Sequence, residues 1–368
     1  MLKRFEVENF KGFKDRLVFD LTARDYEFNK DIVKDGIVNK GIIYGKNGIG
    51  KSNLGIALFD IVSHLTDKEK FPPQYYSNYL NLDSNTECAE FKYVFQFDGD
   101  EVTYIYHKAS PFNLIDEELH INNKRVLYYN YFKKDKNFID KELIGELKVE
   151  LIDNKLSVLK YIYRNTPTSP SSPFNKLMVF VDKMLWYRGL SDGNVYCGFT
   201  NGSTLILEGL YASGKKDEFE LFLKENDLNY KLQWVTINGM HELLAVFPSK
   251  NAAPFLSIAS TGTMSLFLYF YWTVVAFDKI SFLFIDEFDA FFHYESAESI
   301  VLRLNKNRNF QSFLTSHNTY LMQNKLTRPD CCFIMTENKV SSLFNCTSKE
   351  IRQAHNLEKM YINGAFNE

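Results

Sequence analysis

A glycine-rich segment of eight residues, Gly45–Ser52, constrains the fold of this chain more than any other feature of its sequence. Its letters, GKNGIGKS, match the pattern G-x-x-x-x-G-K-S/T in full. An apolar run, Gly41–Tyr44, precedes the segment, and Asn53–Leu65 follows it with apolar residues at helical spacing. When a strand, a loop and a helix follow one another in this order, backbone N–H groups and the helix N-terminus converge on one anion. The pattern therefore predicts a phosphate-binding loop, in which Lys51 neutralises the β- and γ-phosphates and Ser52 offers its hydroxyl to Mg²⁺.

A second feature is the apolar run Phe282–Ile285, which ends in Asp286 and Glu287. The carboxyl end of a buried parallel strand lies at the ligand crevice of the sheet. Asp286 is then placed to hold Mg²⁺ through water, and Glu287 to orient or deprotonate an attacking water. The alternative is that the two acids only mark where a strand meets solvent. His317 ends the next apolar run and can reach a γ-phosphate, although a lone histidine is more often structural.

Composition excludes several classes of protein. Lys and Arg number 43 against 46 Asp and Glu, which gives a net charge of −3 and excludes nucleic-acid binding by bulk positive charge. The five cysteines show no C-x-x-C spacing, so neither a disulfide framework nor a zinc site is expected and a reducing cytoplasm fits best. The N-terminus carries no apolar signal core, and the longest apolar run, Met264–Phe277, is too short for a membrane span.

Hydrophobic periodicity predicts an α/β fold. From residue 254 onward, short apolar strands at 282–286, 312–317 and 331–335 alternate with helical patterns. Period-two alternation predicts a two-stranded opening and three hairpins, at 90–107, 118–130 and 230–247. Helical spacing predicts helices over 134–165, 174–190, 215–226 and 264–277.

Five segments in this order, FEVENFKGF, GKNGIGKSN, ASTGT, FLFIDEFDAFFH and FLTSH, resemble the ABC-type ATPases of the SMC and recombination-repair class. The resemblance covers residues 1–65 and 255–368. Within that class the chain is similar to the compact, arm-less ATPases related to the OLD (overcoming lysogenization defect) proteins, which are common in bacterial anti-phage operons. The resemblance implies an ABC-type P-loop head with an antiparallel β subdomain and a short, partly helical insertion. The segments would be 1–130 for the N-terminal half of the head, 131–245 for the insertion and 246–368 for the C-terminal half.

The resemblance also implies roles by position. ATP and Mg²⁺ are the implied cofactors, and ATP would bind between two copies of the chain. Asp286 corresponds to the Mg²⁺-site aspartate, Glu287 to the catalytic glutamate, His317 to the switch histidine and Asp289 to the loop that crosses the dimer interface. The signature motif, Ser260–Thr263, would cap the γ-phosphate of the partner copy through Ser260 and Gly262. The phosphate-loop positions are Asn47, Gly48, Gly50, Lys51, Ser52 and Asn53.

Two departures from the family pattern stand out. The usual signature is close to L-S-G-G-Q, whereas this chain has A-S-T-G-T, which keeps the serine hydroxyl and one close-approach glycine. The glutamine switch of the family has no clear counterpart. Gln74 and Gln96 are the candidates, and Gln96 falls inside a strand pattern, where an exposed strand position is the simpler interpretation.

The leading functional hypothesis is an ATP-hydrolysing, dimerising switch that regulates a separate effector, a toxin or nuclease, in anti-phage defence. The effector is separate because no nuclease signature is visible and 51 residues after His317 are too few for an added Toprim-type domain. The alternatives are an ATP-dependent DNA clamp, a nucleotide-binding subunit of a membrane transporter and a non-hydrolysing scaffold. The basic runs at Lys133–Lys136 and Lys215–Lys216 would contact nucleic acid in the second case, and are otherwise solvated surface.

Overall fold

The computed structural model describes residues 1–68, 70–144, 147, 149, 153–188, 195–198, 206–337 and 339–366. The strands in chain order are β1 Leu2–Glu8, β2 Leu17–Asp20, β3 Val33–Lys34, β4 Ile37–Val38, β5 Lys40–Tyr44, β6 Ala89–Phe97, β7 Asp100–Ser110, β8 Asn113–Ile121, β9 Lys124–Asn130, β10 Phe138–Ile139, β11 Met184–Arg188, β12 Val195–Cys197, β13 Lys231–Ile237, β14 Met240–Val246, β15 Ala252–Pro254, β16 Phe282–Asp286, β17 Gln311–Ser316, β18 Cys332–Thr336 and β19 Lys339–Ser342.

The helices lie between strands along the whole chain, except α11, which follows the last strand. They are α1 Lys51–Leu58, α2 Asp60–Leu65, α3 Lys141–Ile144, α4 Val158–Asn165, α5 Pro173–Asp182, α6 Ile206–Ser213, α7 Lys216–Glu225, α8 Phe255–Ile258, α9 Thr261–Phe270, α10 Tyr294–Lys306 and α11 Leu357–Ile362. Within the described ranges, no helix combines the length and the apolar character that crossing a membrane requires.

One sheet of 14 strands organises the molecule, in the order β10-β9-β8-β7-β6-β1-β2-β19-β18-β5-β17-β16-β11-β12. Its parallel part consists of β18, β5, β17, β16 and β11. The strands from β10 to β2 pair antiparallel with one another, and β2 pairs parallel with β19. The α/β fold with an antiparallel β part that the sequence predicts is therefore confirmed.

The antiparallel part is built from hairpins with short turns. Asp98 and Gly99 join β6 to β7 with φ of 49° and 99°, and Asn122 and Asn123 join β8 to β9 with φ of 49° and 65°. Two consecutive residues at positive φ match the twist of two-residue hairpins, a conformation that Asn, Asp and Gly adopt at low cost. Both predicted hairpins are thus confirmed, as is the hairpin β13–β14.

Helices cover both faces of the parallel strands. Along β16, Phe282 and Phe284 belong to one core cluster, whereas Leu283 and Ile285 belong to the other. The first cluster includes side chains of α1, α2, α4 and α5, and the second includes side chains of α7, α9, α10 and α11. Burial on both faces explains why β16 reads as a continuous apolar run, Phe282–Ile285, rather than as an alternating one.

Two predicted helices are wrong in part. Within 134–165, the described residues form a 3₁₀ turn at Lys134–Lys136, β10, α3 and, after Ser157 caps its N-terminus, α4. Within 174–190, α5 ends at Asp182 and Met184–Arg188 forms β11, parallel to β16. A short, fully apolar segment has no periodicity that separates a buried strand from a buried helix, so pairing with a distant strand decides its conformation. The segment 131–245 therefore contributes the strands β10, β11 and β12 to the main sheet, and its division from the two halves of the head stays a prediction.

Candidate functional site

The glycine-rich loop follows β5 and leads directly into α1. Gly48 and Gly50 adopt φ of 77° and 108°, a region that L side chains rarely occupy. Gly45 is required for a different reason, because a Cβ there would lie 2.9 Å from Cγ2 of Ile49 and 3.0 Å from the carbonyl oxygen of Met335. The loop thus has the tight backbone curl that directs N–H groups toward a phosphate.

Lys51 is the first residue of α1, and its ammonium group lies inside the loop. Nζ donates to the carbonyl oxygens of Gly45 at 2.7 Å and Lys46 at 3.1 Å. Burial lowers the pKa of Lys51, while the negative charges of Asp286 and Glu287 oppose that shift. A buried cation beside the first, unpaired N–H groups of a helix makes this loop strongly attractive to an anion.

The turn after β1 supports the loop from the other side. Asn9 and Lys11 have φ of 54° and 49°, and this turn places Cε1 of Phe13 3.1 Å from the position of a Cβ at Gly50. Nδ2 of Asn53 lies 3.6 Å from the position of a Cβ at Gly12. The opening letters NFKGF therefore belong to the packing of the phosphate loop, and Asn53 is turned toward that packing contact.

Asp286 ends β16 and is fully buried. Its Oδ1 accepts a hydrogen bond of 2.8 Å from Oγ1 of Thr315, and the hydroxyl of Ser52 also bonds to the carboxylate. Burial raises the pKa of Asp286, and these two hydrogen bonds oppose the shift. Oδ2 has no hydrogen-bond partner. A buried carboxylate oxygen without a donor, next to a serine hydroxyl, fits the oxygen ligands that Mg²⁺ prefers.

Glu287 follows Asp286 with φ of 51°, which turns its side chain out of the strand direction. Its N–H donates to Oγ1 of Thr315 at 2.8 Å. Its carboxylate is partly exposed and forms an ion pair with Arg188, with Oε1 2.6 Å from Nη2. The sequence does not single out Arg188, because the segment that carries it is predicted to be helical. The apolar run before Arg188 is the only sign of a strand there.

His317 and Asp289 complete the group at the carboxyl ends of the parallel strands. His317 comes directly after β17, and its Nδ1 lies 3.4 Å from Nζ of Lys51. Oδ2 of Asp289 accepts a hydrogen bond of 2.6 Å from Oγ of Ser316, and burial raises the pKa of Asp289. The structure thus brings Lys51, Ser52, Asp286, Glu287 and His317 together, as the sequence predicts, with Asp289 beside them.

The signature segment lies at the N-terminus of α9, next to the loop that follows Glu287. Ser260 caps the N-terminus of α9, and its Oγ accepts from the N–H of Thr263 at 3.2 Å. A Cβ at Gly262 would lie 3.0 Å from the carbonyl oxygen of Phe291, on the loop that follows Glu287. Among the residues that the structure describes, no hydrogen bond or ion pair joins Ser260–Thr263 to the phosphate loop. Ser260 is exposed, and Asn47 and Gly48 are exposed at the tip of the loop.

Neither candidate for the glutamine switch is placed at the site by a hydrogen bond to these residues. Gln96 lies on β6 in the antiparallel part, where its backbone carbonyl accepts from the N-terminal amine. Gln74 is exposed in a 3₁₀ turn, Pro73–Tyr76. The switch glutamine therefore stays unassigned, and the end of β11, the strand beside the acidic strand, carries Arg188.

Comparisons with known proteins add to this picture. The family model described as "AAA domain, putative AbiEii toxin, Type IV TA system" matches residues 212–323, which include the signature segment, Asp286, Glu287 and His317. No curated protein matches the sequence.

Solved structures of SMC heads cover most of the chain at low identity. One is an SMC head bound to the C-terminal winged-helix domain of ScpA (14% identity, TM-score 0.48, 92% of this chain and 96% of that one). Another is the SMC head of Thermotoga maritima (15%, 0.42, 92% and 97%). A third is an SMC head with an extended coiled coil, bound to a C-terminal domain of ScpA derived from Pyrococcus furiosus (13%, 0.43, 92% and 95%). With its phosphate loop, its acidic strand end and the matched family model, the chain resembles the ABC-type P-loop ATPases of the SMC-like class.

Proposed function

We propose that the chain binds ATP with Mg²⁺ at the carboxyl ends of β5, β16 and β17 and hydrolyses it to ADP and phosphate. The observation that carries this proposal is the convergence of a phosphate loop with a buried, incompletely paired carboxylate. Ser52 of the loop bonds to Asp286, whose second oxygen has no donor. The matched family model, which is described as an AAA domain, supports nucleotide binding at the same strand ends.

The side chains divide the work of hydrolysis among them. Lys51 and the loop N–H groups bind the phosphates, and Ser52 and Asp286 would hold Mg²⁺, which neutralises charge on the phosphate oxygens when bound. Glu287 is partly exposed, so its carboxylate is accessible to a water molecule that it orients or deprotonates. His317, which is next to Lys51, is placed to hydrogen-bond the terminal phosphate.

A second copy of the chain would complete the site. Ser260 and Gly262 are not bonded to the phosphate loop of their own copy, and the surface around them carries exposed apolar side chains: Leu256, Ile258, Phe291 and Tyr294. An exposed apolar group beside a helix N-terminus suits a surface that closes on another molecule. Two copies facing each other would each present Ser260 to the ATP of the other, with Asp289 on the adjoining loop.

We further propose that this ATP-driven closure regulates a separate effector protein in bacterial anti-phage defence, in the cytoplasm. Two points support this role: the resemblance to compact defence ATPases, and a family model whose description names a toxin of a toxin–antitoxin system. The net charge of −3 makes a nucleic acid the less favoured partner.

Equilibrium binding and steady-state turnover test the site. Lys51→Ala should lose ATP binding, because no other cation lies inside the loop among the described residues. Glu287→Gln should bind ATP with the affinity of the unmodified protein and hydrolyse it at least about a hundredfold more slowly. Lys46→Ala changes an exposed lysine of the same loop and serves as the control. Unchanged ATP affinity in Lys51→Ala would refute the nucleotide site, and unchanged turnover in Glu287→Gln would refute the catalytic role of Glu287.

A further inference from the structure

Arg188 is a charged side chain at the candidate site that neither the sequence motifs nor the family resemblance assigns. It ends β11, and its backbone is in register with Asp286 on the neighbouring strand. The order of the parallel strands is β5-β17-β16-β11. Arg188 therefore flanks the acidic strand on the side opposite to β17 and to the strand that leads into the phosphate loop.

The guanidinium of Arg188 forms one short ion pair and leaves one nitrogen without a hydrogen-bond partner. Nη2 lies 2.6 Å from Oε1 of Glu287. Nε is buried without a hydrogen-bond partner. It lies 3.8 Å from Oδ2 of Asp286, an oxygen that likewise accepts no hydrogen bond. A purely structural ion pair gains most when all its donors are satisfied. Here only the contact with Glu287 is complete, so the guanidinium is fixed by the residue on which hydrolysis would depend.

The direction of this contact matters for hydrolysis. Neighbouring strands lie about 4.8 Å apart, so β5 lies roughly 10 Å from β16 on one side while Arg188 lies on the other. The ion pair therefore draws the Glu287 carboxylate away from the phosphate-loop side of its own strand.

We propose that Arg188 is a positioning residue that holds Glu287 in a resting position, and that this ion pair must open before Glu287 can act on water. The inference rests on the proposed hydrolysis of ATP. The ion pair would then act as a brake on turnover within one copy of the chain. A group that competes for the guanidinium, such as the terminal phosphate of ATP or an acidic group of a second copy, would release Glu287.

Steady-state kinetics of three single variants test the brake. Arg188→Met keeps the volume of the side chain and removes its charge, so we expect kcat to rise about three- to tenfold, the range of a partly exposed ion pair, with KM within about twofold. Arg188→Lys keeps a cation and should stay near the unmodified rate. The control is Arg164→Ala, which removes an arginine of α4 that pairs with Asp67 at 2.7 Å and should leave the rate unchanged.

A double variant shows whether Arg188 acts through Glu287. In the Glu287→Gln background, Arg188→Met should leave the residual rate unchanged, because the group that Arg188 restrains is gone. A fall in kcat on Arg188→Met, an unchanged kcat, or an equal rise in both backgrounds would overturn the proposal. Thermal melting shows that each variant is folded. If no variant, nor the unmodified protein, shows turnover that depends on Lys51, the proposed hydrolysis itself fails and the brake fails with it.

Discussion

At the scale of single residues, Asp286 is the buried carboxylate on which the proposed Mg²⁺ site depends. Its carboxylate is fully buried, accepts from Ser52 and Thr315, and leaves Oδ2 without a donor. Burial raises its pKa, because the folded protein disfavours the ionised form of a carboxylate that is removed from water. A cation bound at this carboxylate would stabilise its ionised form, as the proposed Mg²⁺ site requires.

Asp286→Asn should therefore stabilise the nucleotide-free protein while it removes the response to Mg²⁺. The amide oxygen can still accept from Ser52 and Thr315, and the buried charge is gone. We expect the melting temperature at pH 7 to rise by about 1–2 °C and the Mg²⁺-dependent part of ATP binding to disappear. Calorimetry and binding titrations measure the two effects, with Asp217→Asn, at an exposed aspartate, as the control. A lower melting temperature would mean that Asp286 is a structural ion-pair partner.

Residues of the site differ in how far the sequence predicts them. Lys51 and Ser52 follow from local letters, because the loop needs glycine at fixed spacing whatever the rest of the chain does. Glu287 and His317 follow from apolar runs whose ends are visible in the sequence. Arg188 does not follow, because Met184–Arg188 becomes a strand only through pairing with β16, far along the chain. The supporting role of Phe13 is also invisible, because it is a contact between distant segments.

At the scale of elements, a buried polar network connects the helices after the phosphate loop to the antiparallel strands. Nζ of Lys108, on β7, donates to Oδ1 of Asp60 at 2.6 Å and to Oγ of Ser63 at 2.8 Å, both on α2. The hydroxyls of Tyr79 and Tyr106 donate to the same aspartate at 2.9 and 3.0 Å. The alternation of β7 does not reveal this, since a lysine near a strand end is normally exposed. The network therefore connects α2, which follows the phosphate-loop helix α1, to the antiparallel hairpins.

Lys108→Met should destabilise the protein strongly. It leaves Asp60 as an uncompensated buried charge, a loss of about 3–5 kcal/mol in the free energy of unfolding. The control is Lys92→Met on β6, a lysine that is partly exposed and lies 3.3 Å from Glu6. Glu6 keeps its ion pairs with Arg4 and Arg16, so the loss should be about 1 kcal/mol or less. Urea denaturation measures both. Addition of Asp60→Asn to Lys108→Met should recover part of the loss, and equal losses for the two lysine variants would contradict the role of the network.

His107, on the same strand β7, should make the stability of the protein depend on pH. Burial alone would lower the pKa of His107, but its hydrogen bonds to Asp116 and Glu90, at 2.7 and 3.2 Å, outweigh burial and raise the pKa to about 9. A raised pKa in the folded state stabilises the protein fully below the ordinary value of 6.5, and this contribution is lost as pH rises through about 9. His107→Gln should therefore reduce stability by about 1–2 kcal/mol at pH 6 and hardly at all at pH 10, measured by urea denaturation. An equal loss at both pH values would contradict the charged pair.

At the scale of the whole molecule, the proposed site combines residues at the carboxyl ends of the parallel strands with a segment at the N-terminus of a helix. The phosphate loop, Asp286 and Glu287 lie at the strand ends, whereas Ser260 and Gly262 lie at the N-terminus of α9, beside Phe291 on the loop that follows Glu287. Most of the order of elements could be predicted from apolar runs and turn residues, because each is a local signal, but β10 and β11 lie within segments predicted to be helical. The joining of both sheet parts into one 14-stranded sheet could not, because it depends on the pairing of β2 with β19 across almost the full chain.

The measurement that tests the central claim most directly is the light-scattering mass of Glu287→Gln with and without Mg-ATP. We expect a mass of 43.0 kDa without nucleotide and twice that mass with it. The reason is that Ser260 and Gly262 of one copy would complete the ATP site of the other. Addition of Ser260→Arg should keep the protein at 43.0 kDa while ATP binding by each copy persists. A mass that ATP does not change, at a concentration where ATP binding is saturated, would contradict closure of two copies around the nucleotide.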